Sequence, residues 1–404
     1  MAVAIPLLWA EAATSQCMSG STVNNDQTQS GAVDSEQTLN VDTVTDQTVA
    51  TTTSTGNAYT GAVDGSAVDV ESTQELQAAV TANAAINVNT NISAATQLTT
   101  TATGNAGEAA ATDGGGLTGA ISQDAGPILV RANEDIQGPT AQGGDVSAVS
   151  SATANNQGLG TDGGSINVGV TQTSSATVEA DGGAVLQYSP GTASFTAVAV
   201  SNNITSTGTD TSTQTLDLSQ TMTGDHTQAT KFVTFGNGQT VDADATASSD
   251  NISISNDTGP LTVFTTQDNE GYVFAESEAS SYQFGQVSSS ASAVGNSMIA
   301  GESGQSLTLT NFQTNNGAGV QATVTVGGNT GFDIAGSSSA FGNSATGYAC
   351  TTCGGQITVT NSQINTAGVG ASTTVNVDGT ARSVNSVATA VGNSGTFYVS
   401  KPGS

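Results

Sequence analysis

Few side chains in this sequence of 404 residues have the type and spacing to do chemistry. Cys350-Thr351-Thr352-Cys353 has the C-x-x-C spacing of dithiol redox exchange or of half a zinc site. With three cysteines, one histidine and no βαβ pattern, the chain offers neither the second half of a zinc site nor a thioredoxin-like setting. In an exported chain Cys350 and Cys353 then read as a short-loop disulfide, a local clamp of small global effect. Asp225-His226 puts an acid beside a base. Adjacent residues of a strand point to opposite faces, so this is read as a turn histidine and not as part of a hydrolytic triad. An acid next to or near glycine recurs at Asp64, Asp113, Asp162, Asp210, Asp257 and Glu302. Asp-Gly is first of all a turn signal. A file of such corners would also be a row of carboxylates, which at strand spacing repel by roughly 1 kcal/mol in water and by more at lower dielectric. A divalent cation or a polycation would relieve that repulsion. Calcium takes carboxylate and carbonyl oxygens and is the one cofactor these corners suggest, with no metal site assigned.

Charge narrows the partners. The formal net charge is −29, and the cations are Arg131, Lys231, Arg382 and Lys401. Nucleic-acid binding needs Lys and Arg to neutralise phosphates, and anionic membrane surfaces would repel this chain. A polysaccharide lyase needs a basic residue, and a glycosidase needs two acids about 5–10 Å apart. Three mid-chain cations spread over some 250 positions are a poor source for the former. No phosphate loop or histidine metal cluster is present. The reading is non-catalytic, with a cationic amino-sugar polymer as the ligand whose sign of charge fits.

The elements that must position these residues are repeated. A short alternating run followed by Gln starts at Ser21, Val68, Leu117, Ile166, Leu216, Leu261, Leu307 and Ile357, on average about 48 residues apart. Its Gln column holds Gln27, Gln74, Gln123, Gln172, Gln220, Gln267, Gln313 and Gln363, with Gln220 two residues early relative to Leu216. A second column closes a strand of small residues with Asn57, Asn105, Asn156, Asn203, Asn251, Asn296, Asn343 and Asn393. Two columns in phase signal a stacked architecture, and a disordered chain has no reason to keep such a register. Period-2 alternation such as Val324-Thr325-Val326 gives three strands per copy, separated by turns such as Gly327-Gly328-Asn329. The fold class is all-β, an elongated β-solenoid of about eight tandem repeats, with one or two coils per copy left open. The Asn and Gln columns read as stacked amide ladders. Residues 1–12 resemble a signal peptide, 13–393 are the array, and 394–404 a C-terminal capping segment.

Aromatic residues cluster in one copy, at Phe264, Tyr272, Phe274, Tyr282 and Phe284. Tyr272, Phe274, Tyr282 and Phe284 are the candidates for contact with a sugar or partner, although burial in a wider core is expected for most of the five. The Ala-Val-Gly-Asn strands and the ending Ala390-Val-Gly-Asn-Ser-Gly-Thr-Phe-Tyr-Val-Ser400 resemble the HfaD-type holdfast anchor proteins of stalked alphaproteobacteria. That resemblance implies an exported, outer-membrane-associated surface protein that attaches an adhesive polysaccharide to the envelope together with partner anchor proteins. It brings no catalytic residues. Two other readings are a self-assembling surface-layer or fibre subunit and a polysaccharide-degrading β-helix.

Overall fold

The computed structural model describes residues 21–92, 95–350 and 355–400, and every regular element among them is a β-strand. The expected all-β solenoid is borne out. Its first face is a sheet of eight parallel strands stacked in chain order: Ser21–Gln29, Ala67–Leu76, Gly116–Ala125, Ser165–Ser174, Thr213–Met222, Leu261–Asn269, Ser306–Asn315 and Gln356–Asn365. Coils are numbered one to eight by these strands. In coils one to three the chain then forms a second face (Val33–Val44, Val80–Ile92, Leu129–Gly143) and a third (Gln47–Asp64, Ala95–Thr112, Val146–Asp162). In coils four to seven both faces belong to one unbroken strand: Thr177–Thr209, His226–Asn256, Tyr272–Glu302 and Gly319–Cys350. Coil eight divides again into Val369–Thr380 and Ser383–Ser400, so Ser394–Ser400 continue its third face in register with Ser344–Cys350.

Stacked partners such as Gln267 and Gln313, or Gln313 and Gln363, are 46 and 50 residues apart, so one copy of the repeat makes one coil. Ile166 pairs with Gln214 and Val168 with Leu216. The fifth copy therefore starts at Gln214, and Gln220 stands level with Gln172. The misalignment at Leu216 arose because a polar residue fills the apolar starting place. Gln214 is buried and satisfied there, donating to the Ser255 carbonyl at 2.8 Å and to Asn256 Oδ1 at 3.1 Å while accepting from Ser206 Oγ at 2.6 Å.

Alternation places one residue in two inside. The lumen holds two apolar columns. One lies between the second and third faces, with Val80, Ile86, Leu98, Ile136, Phe195, Phe235, Val273 and Val324 among its members. The other lies between the first face and the end of the third, with Leu117, Ile166, Leu218, Ile252, Val263 and Leu309. Each fully buried side chain of this size contributes about 1.5–3 kcal/mol. The same in–out pattern continues on the first and second faces of coils one and eight, where the inward positions are at most half-buried. Such a residue has a neighbouring coil on one side instead of two.

Two amide ladders run between the apolar columns. Each Gln donates one N–H to the Gln of the preceding coil, over 2.7–2.9 Å from Gln74→Gln27 to Gln363→Gln313. Its other N–H crosses the lumen to a third-face carbonyl, for example Asn203 at 2.9 Å from Gln172. The Asn ladder runs the opposite way, Asn57→Asn105→Asn155→Asn202→Asp250 and Asn296→Asn343→Asn393, each step 2.8–2.9 Å. A second N–H of each donor reaches back to the first face, as from Asn155 to the Thr173 carbonyl at 2.8 Å. Three residues placed in this column by sequence stand elsewhere. Asn156, Asn203 and Asn251 are one residue further on and form a separate, half-buried file, with Asn203→Asn156 and Asn251→Asn203 both 2.7 Å. A one-residue slip changes the face a strand residue occupies, and the doublets Asn155-Asn156 and Asn202-Asn203 hide that slip.

Removing a rung should cost in proportion to how deeply it is enclosed. Gln172→Ala strands the buried Gln220 amide and the Asn203 carbonyl, and about 1–3 kcal/mol of stability should go with them. Gln27→Ala, at the exposed first coil, should cost under about 1 kcal/mol. Equal urea midpoints for the two variants would contradict the ladder's role.

Candidate functional site

The corner between the third face and the next first face carries the acids. Asp64 and Asp162 occupy one position of it, each level with a threonine of the next coil. Thr112 Oγ1 donates to Asp64 Oδ1 at 3.1 Å, and Thr209 Oγ1 to Asp162 Oδ1 at 2.9 Å. Asp257 follows Asn256, the partner of Gly208, and continues that position. Asp113 and Asp210 come directly after the threonines, one position on, with left-handed φ of 50° and 55°. The five carboxylates thus alternate between two adjacent positions of a stacked turn and do not form one straight file. They are close enough to interact: the charge of Asp64, a hydrogen bond shared with it and the charge of Asp162 together push the Asp113 carboxyl above its ordinary range. Glu302 departs from this set. It pairs with Asn256, one residue short of the Asp257 position, and is buried, its carboxylate accepting from the Gly304 and Gln305 amides at 2.6 Å each. It closes its own turn. Among the described residues no three His, Cys, Asp or Glu side chains converge to hold a metal ion.

The aromatic candidates divide. Phe284 is buried, while Tyr282 is 62% exposed and Phe264 42%. Tyr272 and Phe274 are half-buried on the outer side of the second face, stacked with ring centroids 5.8 Å apart, and Tyr272 Oη donates to Gln321 Oε1 at 2.6 Å. The expectation that most of these rings fill the core fails because Phe264, Tyr272 and Phe274 fall at the outward parity of their strands. Phe264 in addition meets Phe312 of the next coil on the outer side of the first face, centroids 5.8 Å apart.

Asp225 and His226 do touch, at 3.0 Å, because Asp225 lies in the turn just before the strand that begins at His226. His226 Nε2 stands 3.2 Å from Glu179 Oε1, and these two acids, Glu179 first, push the imidazole pKa up. Arg131 completes an outer cluster, 3.0 Å from Asp181 and 3.4 Å from Glu179. Held between two carboxylates, His226 belongs to an ion network that favours its charged form. Cys350 is buried. Cys17, Cys353 and the signal-like segment 1–12 lie outside the described residues.

Sequence reasoning missed three features. Lys231 and Glu134 form an ion pair inside the lumen with no exposure of either side chain. They belong to coils five and three, and Gly182 of the coil between them is level with both. A Cβ at Gly182 would come within 2.4 Å of Glu134 Oε1 and 2.7 Å of Lys231 Nζ, so the missing side chain is the space the pair occupies. The second is Asp250, a fully buried acid in the Asn ladder. The third is a groove at the corner between the second and third faces of coils four to seven, lined by Tyr188, Asn237, Gln239, Gln283 and Phe332 among others. An isolated lysine and a single acid in the place of an Asn rung carry no short-range signal. The groove could have been suspected from Gln and Gly recurring at Gln187, Gly236, Gly238, Gln239, Gln283 and Gly285.

Among the described residues no helix is long and apolar enough to cross a membrane, which says nothing of spanning by strands. No curated protein and no solved structure matches the chain. The family model of holdfast attachment protein D, HfaD, matches residues 42–319. That match runs from the second face of coil one to the start of the second face in coil seven. With well over half of its length matched, this chain of stacked coils and amide ladders belongs to the HfaD family of holdfast attachment proteins.

Proposed function

We propose that this chain is a non-catalytic anchor at the cell surface, a rigid post that helps hold an adhesive polysaccharide to the outer envelope, in company with other anchor or outer-membrane proteins. The support is the family, one of attachment, together with a scaffold whose repeated corner sets out carboxylates at fixed intervals. The observation that carries the ligand choice is the crowding of Asp113 between Asp64 and Asp162. A polymer bearing regularly spaced ammonium groups, such as a partly deacetylated amino sugar, relieves that repulsion. Each exposed contact contributes about 0.2–1 kcal/mol, and several on one chain add through effective concentration.

Neutralising Asp64, Asp113, Asp162, Asp210 and Asp257 to Asn should remove most binding to a partly deacetylated chitosan while leaving the thermal midpoint near that of the parent. Parent binding should weaken as salt rises, because screening over about 8–10 Å acts on every contact. Glu302 is left in place in this variant since it closes a turn. Retained binding by the five-fold variant at low salt would show the acids to be turn residues only. A second reading, a self-assembling fibre subunit, draws on the half-buried inward positions of coil eight, such as Val359, Gln363 and Val375. It requires concentration-dependent growth in light scattering, and a constant monomer mass would exclude it.

A further inference from the structure

We infer that the corner groove of coils four to seven is a binding site for an uncharged sugar chain, distinct from the acidic corner. This deepens the anchor reading and rests on it for the class of ligand. Four side chains of one register position line its length, one per coil: Tyr188, Asn237, Gln283 and Thr330. They follow one another at the strand spacing of about 4.8 Å, close to the advance of one pyranose ring in an extended chain. The floor is glycine. Gly238, Gly285 and Gly331 line the groove, and a Cβ at Gly285 would strike the Gln239 carbonyl at 2.5 Å and its Nε2 at 2.8 Å. The space left is a groove of about 420 Å³. Its walls are rings turned to solvent: Tyr188 is 39% exposed and Phe332 58%. Arg382 lies outside the groove, on the Phe332 ring, its guanidinium carbon 5.3 Å from the ring centroid and its Nε donating to Asp333 Oδ1 at 3.1 Å.

The chemistry of this lining selects its occupant. An aromatic face exposed beside a groove offers a flat apolar platform with a polar rim, which suits the C–H face of a sugar ring. Side-chain amides both donate and accept, as sugar hydroxyls require, and Asn237, Gln239 and Gln283 supply three in succession. None of the residues lining the groove is charged, on a chain of net charge −29. A cationic polymer is therefore drawn to the acidic corner, and the groove suits neutral rings. A concave site with apolar walls and a few placed polar groups is the usual form of a small-ligand site.

The test uses the whole chain and neutral hexasaccharides of differing linkage (cellohexaose, N-acetylated chitohexaose and maltohexaose) in isothermal titration calorimetry. At least one should bind, with an affinity unchanged between low and high salt. Phe332→Ala and Tyr188→Ala should each weaken that binding at least tenfold while melting near the parent, since both rings are exposed. Gln283→Ala should weaken it as well, and the five-fold acid variant should bind the hexasaccharide as the parent does. Absence of binding across the three sugars, or parent-like binding by both aromatic variants, overturns the inference. Neither result bears on the acidic corner, which is read by the salt-dependent chitosan experiment.

Discussion

Lys231→Met is expected to lower stability by about 3–5 kcal/mol, the usual cost of leaving one member of a buried ion pair without its partner. Lys231 has no exposure, and Glu134, its ion-pair partner, is equally enclosed. Burial pushes the Glu134 carboxyl up and the Lys231 ammonium down, while the attraction between them opposes both shifts. Among the described residues Glu134 Oε2 has no hydrogen-bond partner, and Lys231 Nζ makes one further hydrogen bond, to Ser150 Oγ at 3.5 Å. The geometry therefore has little to offset desolvation except the pair itself. Two consequences separate this account from simple loss of packing. The double variant Glu134→Leu/Lys231→Met should regain most of the stability, since a well-packed apolar pair often equals a buried ion pair. Gly182→Ala should also destabilise, because its methyl group would occupy the space of the pair. Urea denaturation of the three variants is the measurement. A Lys231→Met midpoint equal to the parent's would mean that the lysine reaches water, and the enclosed pair would have to be abandoned.

Asp250→Asn should raise stability at neutral pH by about 1–3 kcal/mol, a gain from a single atom exchange. Asp250 occupies an Asn rung, where its Oδ1 accepts from Asn202 at 2.8 Å. The next rung, Asn296, is level with it, and among the described residues both Asp250 Oδ2 and Asn296 Oδ1 lack a hydrogen-bond partner. At the neighbouring rungs the amide sends one N–H to the next rung and another to the first face, as Asn202 does to the Thr221 carbonyl at 3.0 Å. A carboxylate has neither hydrogen. A protonated carboxyl has one, and it stands beside an open acceptor. Burial is the main cause of a pKa well above the ordinary carboxylate range, with the hydrogen bond from Asn202 opposing it and the charge of Asp268 adding to it. The sign follows from linkage. With the folded pKa above the unfolded one, the folded state holds the extra proton between the two values. Stability from this group is fully present below the unfolded pKa and falls as pH rises through that window. Asn at this place removes the fall, so the gap between variant and parent should be small near pH 4 and should widen toward pH 7. A gap that stays constant with pH would show that Asp250 keeps one protonation state throughout and that its proton is no part of the ladder.

The sequence by itself determined the period, the strand class, the Gln ladder and the acidic turns, because each depends on residues that recur at the same place in neighbouring copies. A stacked coil places residue i over residue i plus one period, so a column in the sequence becomes a column in space with no further information. What it left to the tertiary structure was parity and depth. Asn155 and Asn156 are neighbours in the chain, and Glu302 stands one register position before the place Asp257 holds in its own coil; a shift of one decides between lumen and solvent. That choice is made by the bend at each corner and by what the adjacent coil already fills. Lys231 and Glu134 are 97 residues apart and meet only because Gly182 of the intervening coil has no side chain. The sugar-sized groove likewise exists only when exposed rings of coils four and seven flank glycines and amides of the coils between them. Such sites follow from what different copies do not share, and stacking alone brings those differences together.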